Sequence, residues 1–453
     1  MRIKRSDMKH FFVIVVAFLF SMSLFADEYQ STLERITGAQ VKSTAQVTTK
    51  QVNAPNDGQK DALPAFRKAI GRLRKAGGGT FVVTRGVYLL NGPLELISNL
   101  TLQLEEGATI KFSPNPAYYP LVSTSWEGTW VNNYSPFIRG YQLSHVKITG
   151  KGTIDGNAAT TFSTWKRLQE ADKQESRRMN HEGVPREERN FGHGHYLRPQ
   201  LIQFKKSSNV TIEGVFITNS PFWCIHLLEC DNVILRSLRY SAKLINNDGI
   251  DPECSSNVLI EDIDFDNGDD NVAIKSGRDH DGWSVGKASH HIIIRNCRFK
   301  GLHGVVIGSE MSAGVHDVWV VDCVASGYCK RGIYIKTNPD RGGFISNIYV
   351  RNTHFQEVED LLYVTSMFAG EGADNDKYTD IHDIHVDNLT CEKARHAAVV
   401  IQGVPQQPPY NMTLSNVQAK EALIGLSINN TKGVVLNNCN LGGVVNYAPT
   451  TAK

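Results

Sequence analysis

Short stretches of alternating apolar and polar residues recur along the second half of the chain, each opened by Asn or a similar turn residue. They begin as NVTI at 209, NVIL at 232, NVLI at 257, HIII at 291, DVWV at 317, NIYV at 347, DIHV at 383, NMTL at 411 and GVVL at 433. Alternation with a period of two is typical of β-strands, and a spacing of 22 to 36 residues is typical of a solenoid. Because the units show almost no helical periodicity, the pattern predicts an all-β chain wound as a parallel β-helix.

One position in each unit, six residues after its start, tests this interpretation. It holds Val215, Leu238, Ile263, Cys297, Cys323, Thr353, Leu389, Val417 and Cys439. All but one are apolar or cysteine, so the position predicts a stack of side chains inside the solenoid. Cys297 and Cys323 could form a disulfide between neighbouring coils, but free cysteine also packs as a small hydrophobe, and we expect stacked thiols.

Two segments depart from the repeat. The stretch DALPAFRKAIGRLRKAGGG, from residue 61, has the spacing of an amphipathic helix that ends at glycine, and we expect it to cap the N-terminal end of the solenoid. Residues 156–198 are rich in charge and interrupt the repeat. We expect them to form a partly helical insertion that projects from one face of a single domain, residues 27–453.

The N-terminus has the pattern of a signal peptide over residues 1–26. A basic segment, MRIKRSDMKH, precedes the apolar run FFVIVVAFLFSMSLFA, which is short for a membrane span. We expect a secreted or periplasmic protein, monomeric and not inserted in a membrane after cleavage, with a retained N-terminal anchor as the alternative. The formal charge of +2 comes without a long Lys/Arg run, so nothing indicates nucleic-acid binding.

Four successive units align on a common strand: DGIDPEC from 248, DNVAIKS from 270, HGVVIGS from 303 and RGIYIKT from 331. We expect Ile250, Val272 and Ile333, at the third position, to point inward, so that their neighbours, and likewise the sixth residue of each row, point outward, while the first residues share one register on four successive coils. The first and sixth residues of the rows, joined by Asp269, are expected on one outer face, and they are Asp248, Asp270, His303, Arg331, Glu253, Lys275, Gly308 and Lys336. Neighbouring carboxylates repel one another and raise one another's pKa, which indicates a functional site; a calcium site or an ion-paired solvated face are the alternatives.

These residues resemble a known family. The segments NND at 246, GDD at 268, HG at 303 and RGIYIK at 331 are similar to the Asn-x-Asp, Asp-Asp, Gly-His-Gly and Arg-Ile-Lys motifs of the polygalacturonase family, glycoside hydrolase family 28. The resemblance implies a right-handed parallel β-helix that hydrolyses α-galacturonosyl linkages in a pectic polysaccharide, with inversion and without a metal or cofactor.

The same resemblance implies roles for individual residues. Asp269 would be the general acid, Asp248 and Asp270 would hold and deprotonate the water, and His303 would tune the acids. The expected substrate contacts are Asn246, Lys275, Arg278, Arg331, Tyr334 and Lys336. Among them Lys336 would bind a substrate carboxylate, and Arg278, in KSGRDHDG, resembles the exo-acting branch and would bind the carboxylate of the terminal sugar.

Two residues depart from the family motifs. Leu302 stands at the first glycine of Gly-His-Gly, and Tyr334 stands where Arg-Ile-Lys has its arginine. Either Arg331 replaces that arginine at a galacturonate carboxylate, or the leaving group is a neutral sugar, such as the rhamnose of rhamnogalacturonan, that stacks on Tyr334. We expect a hydrolase; a non-catalytic carbohydrate-binding β-helix of the adhesin or tailspike kind and a calcium-dependent pectate lyase are the alternatives.

Overall fold

A computed structural model describes residues 27–368 and 376–447; the predicted signal peptide lies outside these residues. The chain winds into successive coils whose strands pair in parallel with the strands of the coils before and after. The fold is the right-handed parallel β-helix that the repeat and the family resemblance predicted. Each helix within the described ranges is too short or too polar to cross a lipid bilayer.

Three parallel sheets form the walls of the solenoid. The site sheet contains Leu94–Glu95, Ile138–Tyr141, Ile202–Lys205, Ile225–Leu228, Ile250–Glu253, Asp270–Ile274, His303–Ile307 and Val444–Tyr447. The second sheet contains Gln46–Thr48, Gly79–Val83, Leu100–Leu104, Ser144–Gly150, Ser208–Glu213, Asp231–Arg236, Ser256–Glu261, Ser289–Arg295, Val315–Val321, Tyr410–Ser415 and Lys432–Asn437.

The third sheet contains Asp57–Asp61, Gly86–Leu90, Ala108–Phe112, Thr153–Asp155, Phe216–Thr218 and Arg239–Ser241, and Arg298–Phe299 extends it. Four long strands bend from one sheet into another: Val324–Lys336, Phe344–Thr365, Asp380–Gln402 and Gln418–Asn429. These strands close the later coils without a loop at every corner.

The residue that opens each sequence repeat lies at a corner of the solenoid. All nine of these residues have a positive φ, between 52° and 59°, and they are Asn209, Asn232, Asn257, His291, Asp317, Asn347, Asp383, Asn411 and Gly433. Asn, Asp, His and Gly are the residues that tolerate the left-handed region best. Neighbouring corners are also bonded: the Asn347 amide donates to Asp317 Oδ1 at 2.9 Å. The repeat in the sequence is therefore a repeat of left-handed corners.

The predicted interior stack is confirmed. Eight of its nine residues are buried, including Thr353, and Cys439 in the last coil is partly exposed. All eight cysteines are free thiols, so Cys297 and Cys323 stack on neighbouring coils without a disulfide, as expected.

The predicted capping helix is Leu63–Lys75, followed by Gly77 at φ 78°. It buries Phe66, Ile70 and Leu73 against the first strands of the solenoid, and the Phe66 ring packs edge-on against Phe81 at 4.9 Å between centroids. A second N-terminal helix, residues 27–35, lies on the outer face of the second sheet, where Tyr29 contacts Trp319.

Residues 156–198 are partly helical, as predicted. They contain the helices Phe162–Leu168 and Glu170–His181, a 3-10 turn at Arg186–Glu188 and the short strand Asn190–Phe191. That strand pairs with an antiparallel hairpin, Leu121–Trp126 and Thr129–Tyr134, which we name the cover hairpin. A further helix is Asp279–Val285, and further 3-10 turns occupy Lys50–Val52 and Pro116–Tyr118.

Candidate active site

The aligned acids lie on neighbouring strands of the site sheet. Asp270, His303 and Arg331 are direct Cα partners on three successive coils. Ile250 pairs with Val272, which places Asp248 in the same register one coil earlier. The predicted register is therefore correct, because the four aligned segments occupy equivalent positions on successive coils.

Asp269 and Asp270 differ in their surroundings although they are adjacent in sequence. Asp269 Oδ2 accepts from the Asn246 backbone N–H at 3.3 Å, and Asp269 Oδ1 accepts from the Asp270 backbone N–H at 3.1 Å. Burial and the charge of Asp270 raise the pKa of Asp269 to about 7. Near neutral pH this carboxyl can hold a proton and give it away.

Asp270 has two cationic or proton-donating neighbours. His303 Nδ1 lies 2.5 Å from its Oδ1, and Lys336 Nζ lies 3.4 Å from its Oδ2. Burial opposes ionisation of Asp270, but Lys336 and His303 outweigh it and hold its pKa well below the usual range. Burial lowers the pKa of His303. The adjacent carboxyls thus take opposite states, with Asp269 able to be protonated while Asp270 is ionised.

Asp251 is a site residue that the sequence analysis missed. It is fully buried beside Asp248, whose carboxyl lies in hydrogen-bonding contact with it. Burial raises the pKa of both carboxyls far above the usual range; Asp251 adds to the shift of Asp248, and Lys275 offsets only part of the shift of Asp251. The two carboxyls are therefore suited to share one proton. Asp251 stands in the register of Tyr334, so the alternation of the strand already marked it as outward.

Lys275 and Arg278, predicted to contact substrate, are instead buried in an ion network with Glu310. Lys275 Nζ lies 3.0 Å from Glu310 Oε2 and 3.9 Å from Asp251 Oδ1. Arg278 Nη2 donates to Glu310 Oε1 at 2.8 Å, and Arg278 Nε donates to the Glu127 carbonyl at 2.9 Å. Only 3% of Lys275 and 1% of Arg278 is exposed, so both act beneath the groove and not on its surface.

Asn246 lies beside the acid. Its side chain is within 3.5 Å of Asp269 Oδ2, and its Oδ1 accepts from Arg198 Nη2 at 2.6 Å. Burial lowers the pKa of Arg198 to about 10, although nearby acids favour its charge. Arg198, at the end of the insertion, thereby fixes Asn246 and, through it, the proton-bearing carboxyl; its distance in sequence kept it from being predicted.

Tyr334 lies on the outer face as predicted, but its ring is not open for stacking. It is only 4% exposed and packs edge-on against His303 at 5.4 Å. The guanidinium of Arg331 lies 4.7 Å from its centroid and the ammonium of Lys336 lies 5.2 Å from it. The alternative in which a neutral sugar stacks on Tyr334 has little support from this arrangement, because the two cations occupy the space around the ring.

Arg331 is held in place from several sides. Its guanidinium also lies 4.4 Å from the Tyr363 centroid, and its Nε lies 3.3 Å from Asp360 Oδ2. Asp360 in turn contacts His396 Nδ1 at 2.6 Å. The Arg331 side chain keeps 18% of its surface exposed, so an oriented cation faces the groove one coil beyond His303.

The site sheet is covered on the coils that precede the acids. Gln203, His226 and Glu253 point outward there and are almost completely buried under the cover hairpin. Gln203 Nε2 donates to Thr124 Oγ1 at 2.8 Å, Ser125 Oγ donates to Glu253 Oε1 at 2.8 Å, and His226 Nε2 lies 2.8 Å from Glu253 Oε2. The groove is therefore closed on its upstream, N-terminal side.

The insertion supports this cover. Arg177 forms an ion pair with Glu127 at 3.0 Å, in the turn of the cover hairpin. The Asn180 amide donates to Thr129 Oγ1 at 3.2 Å and to the Arg278 carbonyl at 2.9 Å. The helix Glu170–His181 thus ties the hairpin to the loop that follows the acids.

Asp269, Asp270 and His303 could also be considered as metal ligands, because their ligand atoms lie within 4.8 Å of one another. Calcium takes six to eight oxygen ligands, whereas this group offers two carboxylates and a nitrogen. His303 and Asp270 already bond to each other, and the Lys336 ammonium at 3.4 Å repels a cation. The contacts fit acid–base chemistry better than a calcium site.

Comparison with known proteins agrees with this chemistry. The model of the family described as glycosyl hydrolases family 28 matches residues 88–439. The chain belongs to this family. As a family 28 protein it is a glycoside hydrolase.

Relatives match over most of the family 28 chain. A probable polygalacturonase of Vitis vinifera is 31% identical over 378 residues, which are 80% of this chain and 71% of the relative. An endo-polygalacturonase of Pectobacterium carotovorum subsp. carotovorum is 26% identical over 88% of this chain and 92% of its own length. The crystal structure of a hyperthermoactive exopolygalacturonase from Thermotoga maritima is 35% identical with a TM-score of 0.80, and covers 91% of this chain and 96% of its own.

Proposed function

We propose that this protein is an exo-acting polygalacturonase, which hydrolyses the terminal α-galacturonosyl linkage of a pectic chain with inversion. The observation that carries the proposal is the pair of adjacent carboxyls in opposite states, Asp269 with a pKa of about 7 and Asp270 with a lowered pKa. Glycoside hydrolysis by this class of enzyme uses one protonated and one ionised carboxyl around an oxocarbenium-like transition state.

In this mechanism Asp269 donates its proton to the glycosidic oxygen as the bond from that oxygen to the anomeric carbon breaks. Asp270 accepts a proton from a water molecule whose oxygen bonds to the anomeric carbon. Asp248, beside Asp251, holds that water. His303 Nδ1 donates to Asp270 and helps keep it ionised. Exchange with solvent returns the proton to Asp269.

Exo action is supported by the cover hairpin. Since it fills the outer face of the upstream coils, a polymer cannot continue past the acids in that direction, and only a chain end fits. The similarity to an exopolygalacturonase at 35% identity agrees with this mode, although an endo-acting relative also matches at 26%.

The residues on the leaving-group side support galacturonate there. Arg331 offers a partly exposed guanidinium that two tyrosines and Asp360 orient, and guanidinium groups bind carboxylates in a bidentate manner. Tyr334 is covered and presents little surface for rhamnose. We therefore favour homogalacturonan oligomers over rhamnogalacturonan, with Arg331 in the role of the missing motif arginine.

Product analysis tests the proposal. Purified protein is incubated with oligogalacturonides and with rhamnogalacturonan oligomers, and early products are separated by anion-exchange chromatography. We expect galacturonic acid monomer first, with the inverted β-anomer by proton NMR. A ladder of mid-sized oligomers would refute exo action, unsaturated products would indicate a lyase, and binding without release would indicate an adhesin.

Export is part of the same proposal and rests on the pattern of residues 1–26. N-terminal sequencing of protein recovered from the periplasm or medium of an expressing bacterium should give a mature chain that begins near Asp27. Full-length protein retained in the membrane fraction would point to an anchor.

A further inference from the structure

Five residues near the cover hairpin form a row of alternating cations and aromatic rings: Arg139, Tyr141, Lys205, Trp130 and Arg186. We name it the cationic row. Arg139 and Tyr141 point outward from one strand of the site sheet, and Lys205 is the Cα partner of Tyr141 on the next coil. Trp130 lies on the cover hairpin and Arg186 lies in the insertion. The row shares no residue with the acid-bearing groove.

The spacing of the row is regular. The Arg139 guanidinium lies 5.7 Å from the Tyr141 centroid, and Lys205 Nζ lies 5.3 Å from the same ring. Lys205 Nζ is also 4.6 Å from the Trp130 centroid, which lies 5.0 Å from the Arg186 guanidinium. These are cation–π distances, so each ring draws two cations together.

The central cation has no carboxylate partner. Among the described residues no acid lies within 4.0 Å of Lys205 Nζ, which donates instead to the Ser123 carbonyl at 2.7 Å. Burial lowers the pKa of Lys205 to about 8, and the neighbouring cations Lys206 and Arg139 add to the shift. Glu229 offsets only part of this shift, and an anionic ligand beside Lys205 would offset more of the cost of holding these like charges together.

The ends of the row are accessible. Tyr141 is 42% exposed, and the side chains of Arg139 and Arg186 are 25% and 40% exposed. Their acidic neighbours only partly neutralise them: Glu95 lies 3.1 Å from Arg139, while Asp281 lies 3.4 Å from Arg186 and is shared with Arg189. The surface therefore offers separated positive charges beside an exposed aromatic ring.

We infer that the cationic row is a second, non-catalytic binding site for polygalacturonate. This inference rests on the proposed function, since it takes the polymer to be the enzyme's substrate. The cations would pair with carboxylates of the chain, and the exposed Tyr141 ring would pack on the apolar face of a sugar. Holding one segment of a polymer at the row raises the effective concentration of chain ends near the groove.

Binding of polygalacturonate is measured by affinity electrophoresis with the full chain in an Asp269→Asn background, which slows turnover of the probe. The test variant is Arg139→Ala/Arg186→Ala. The matched control, Lys147→Ala/Lys300→Ala, removes two partly exposed or exposed cations elsewhere on the solenoid. We expect the test pair to weaken binding at least about tenfold, the scale of two charged contacts, and the control to weaken it less than about twofold.

Tyr141→Ala is a second test variant, which changes no charge and serves if the double variant fails to fold. It should weaken polygalacturonate binding by about threefold or more. Poly-glutamate of similar charge is the second probe. Equal losses in test and control pairs, no loss with Tyr141→Ala, or equal affinity for both polymers would overturn the inference. Release of galacturonate from digalacturonate by wild type reports on the proposed function alone, because this substrate is too short to occupy row and groove together.

Discussion

The outer face of the site sheet carries polar side chains both upstream and downstream of the acids, yet the two regions are used differently. Upstream, His226 and Glu253 lie under the cover hairpin and satisfy each other at 2.8 Å. Downstream, Lys336 stands in the register of Glu253, and both Lys336 and Arg331 border the groove, with 12% and 18% of their side chains exposed. The difference lies in what covers each coil: the same strand pattern gives a buried structural network in one place and a substrate groove in the other.

The largest difference between the open groove and the covered upstream coils is expected when Asp269 is replaced. Asp269→Asn should lower kcat by at least about a hundredfold, the scale of general acid catalysis, because the amide cannot protonate the leaving oxygen. Initial rates on trigalacturonate measure the change, and thermal unfolding checks the fold. Asp266→Asn, an acid on the third face that pairs with Lys243 and Lys300, is the matched control. Near-normal turnover in a folded Asp269→Asn variant removes Asp269 from the mechanism.

Arg331→Ala tests whether the downstream coils bind the leaving-group sugar. We expect kcat/KM on digalacturonate to fall by about 10- to 100-fold, the value of a charged hydrogen bond to the leaving-group carboxylate. On 4-nitrophenyl α-galacturonide, which lacks that carboxylate, the loss should be much smaller. Equal losses on both substrates would mean that Arg331 supports the fold of the site only. If the wild-type protein preferred a galacturonosyl-rhamnose linkage, the alternative of a neutral leaving group would be favoured instead.

The pH profile follows from the raised pKa of Asp269. Because the general acid must carry a proton, kcat/KM should fall about tenfold for each pH unit above about 7. Asp270 has a lowered pKa and stays ionised throughout this range. Rates on digalacturonate between pH 5 and 9 test this, and a constant rate up to pH 9 would show that another group donates the proton.

The smallest effect on turnover is expected upstream. His226→Ala leaves Glu253 buried without one of its hydrogen-bond partners, so the free energy of unfolding should fall by about 2–3 kcal/mol. The exposed pair of Arg298 and Asp264 provides the control, since Arg298→Ala should cost at most about 1 kcal/mol. Denaturant unfolding measures both. If His226→Ala abolished turnover at unchanged stability, the covered coils would belong to the active site.

The sequence predicted those features that depend on local pattern. The solenoid, the interior stack and the shared register of Asp248, Asp270 and His303 all follow from two-residue alternation and the spacing of the coils. Asp251 obeyed the same rule and could have been found by applying it to every outward position. A local pattern therefore fixes which face a side chain takes.

Exposure of that face is not a local property. Arg278 was expected at the groove surface, but its backbone partner Glu127 stands 151 residues earlier and Glu310 lies 32 residues later. Lys275 pairs with the same Glu310 and lies over the Trp223 ring, and Tyr334 is covered by cations from its own coil. Such contacts arise when distant loops fold over the sheet, which strand periodicity does not describe.

The eight free cysteines have a practical consequence for making the protein. No cross-link joins the coils, and seven of the thiols are buried. Folding therefore needs neither an oxidant nor a disulfide isomerase, so the chain without residues 1–26 can be produced in a reducing cytosol. Burial also raises the pKa of Cys230 to about 12, so this side chain stays protonated at neutral pH. The protonated thiol reacts poorly, which slows air oxidation during storage.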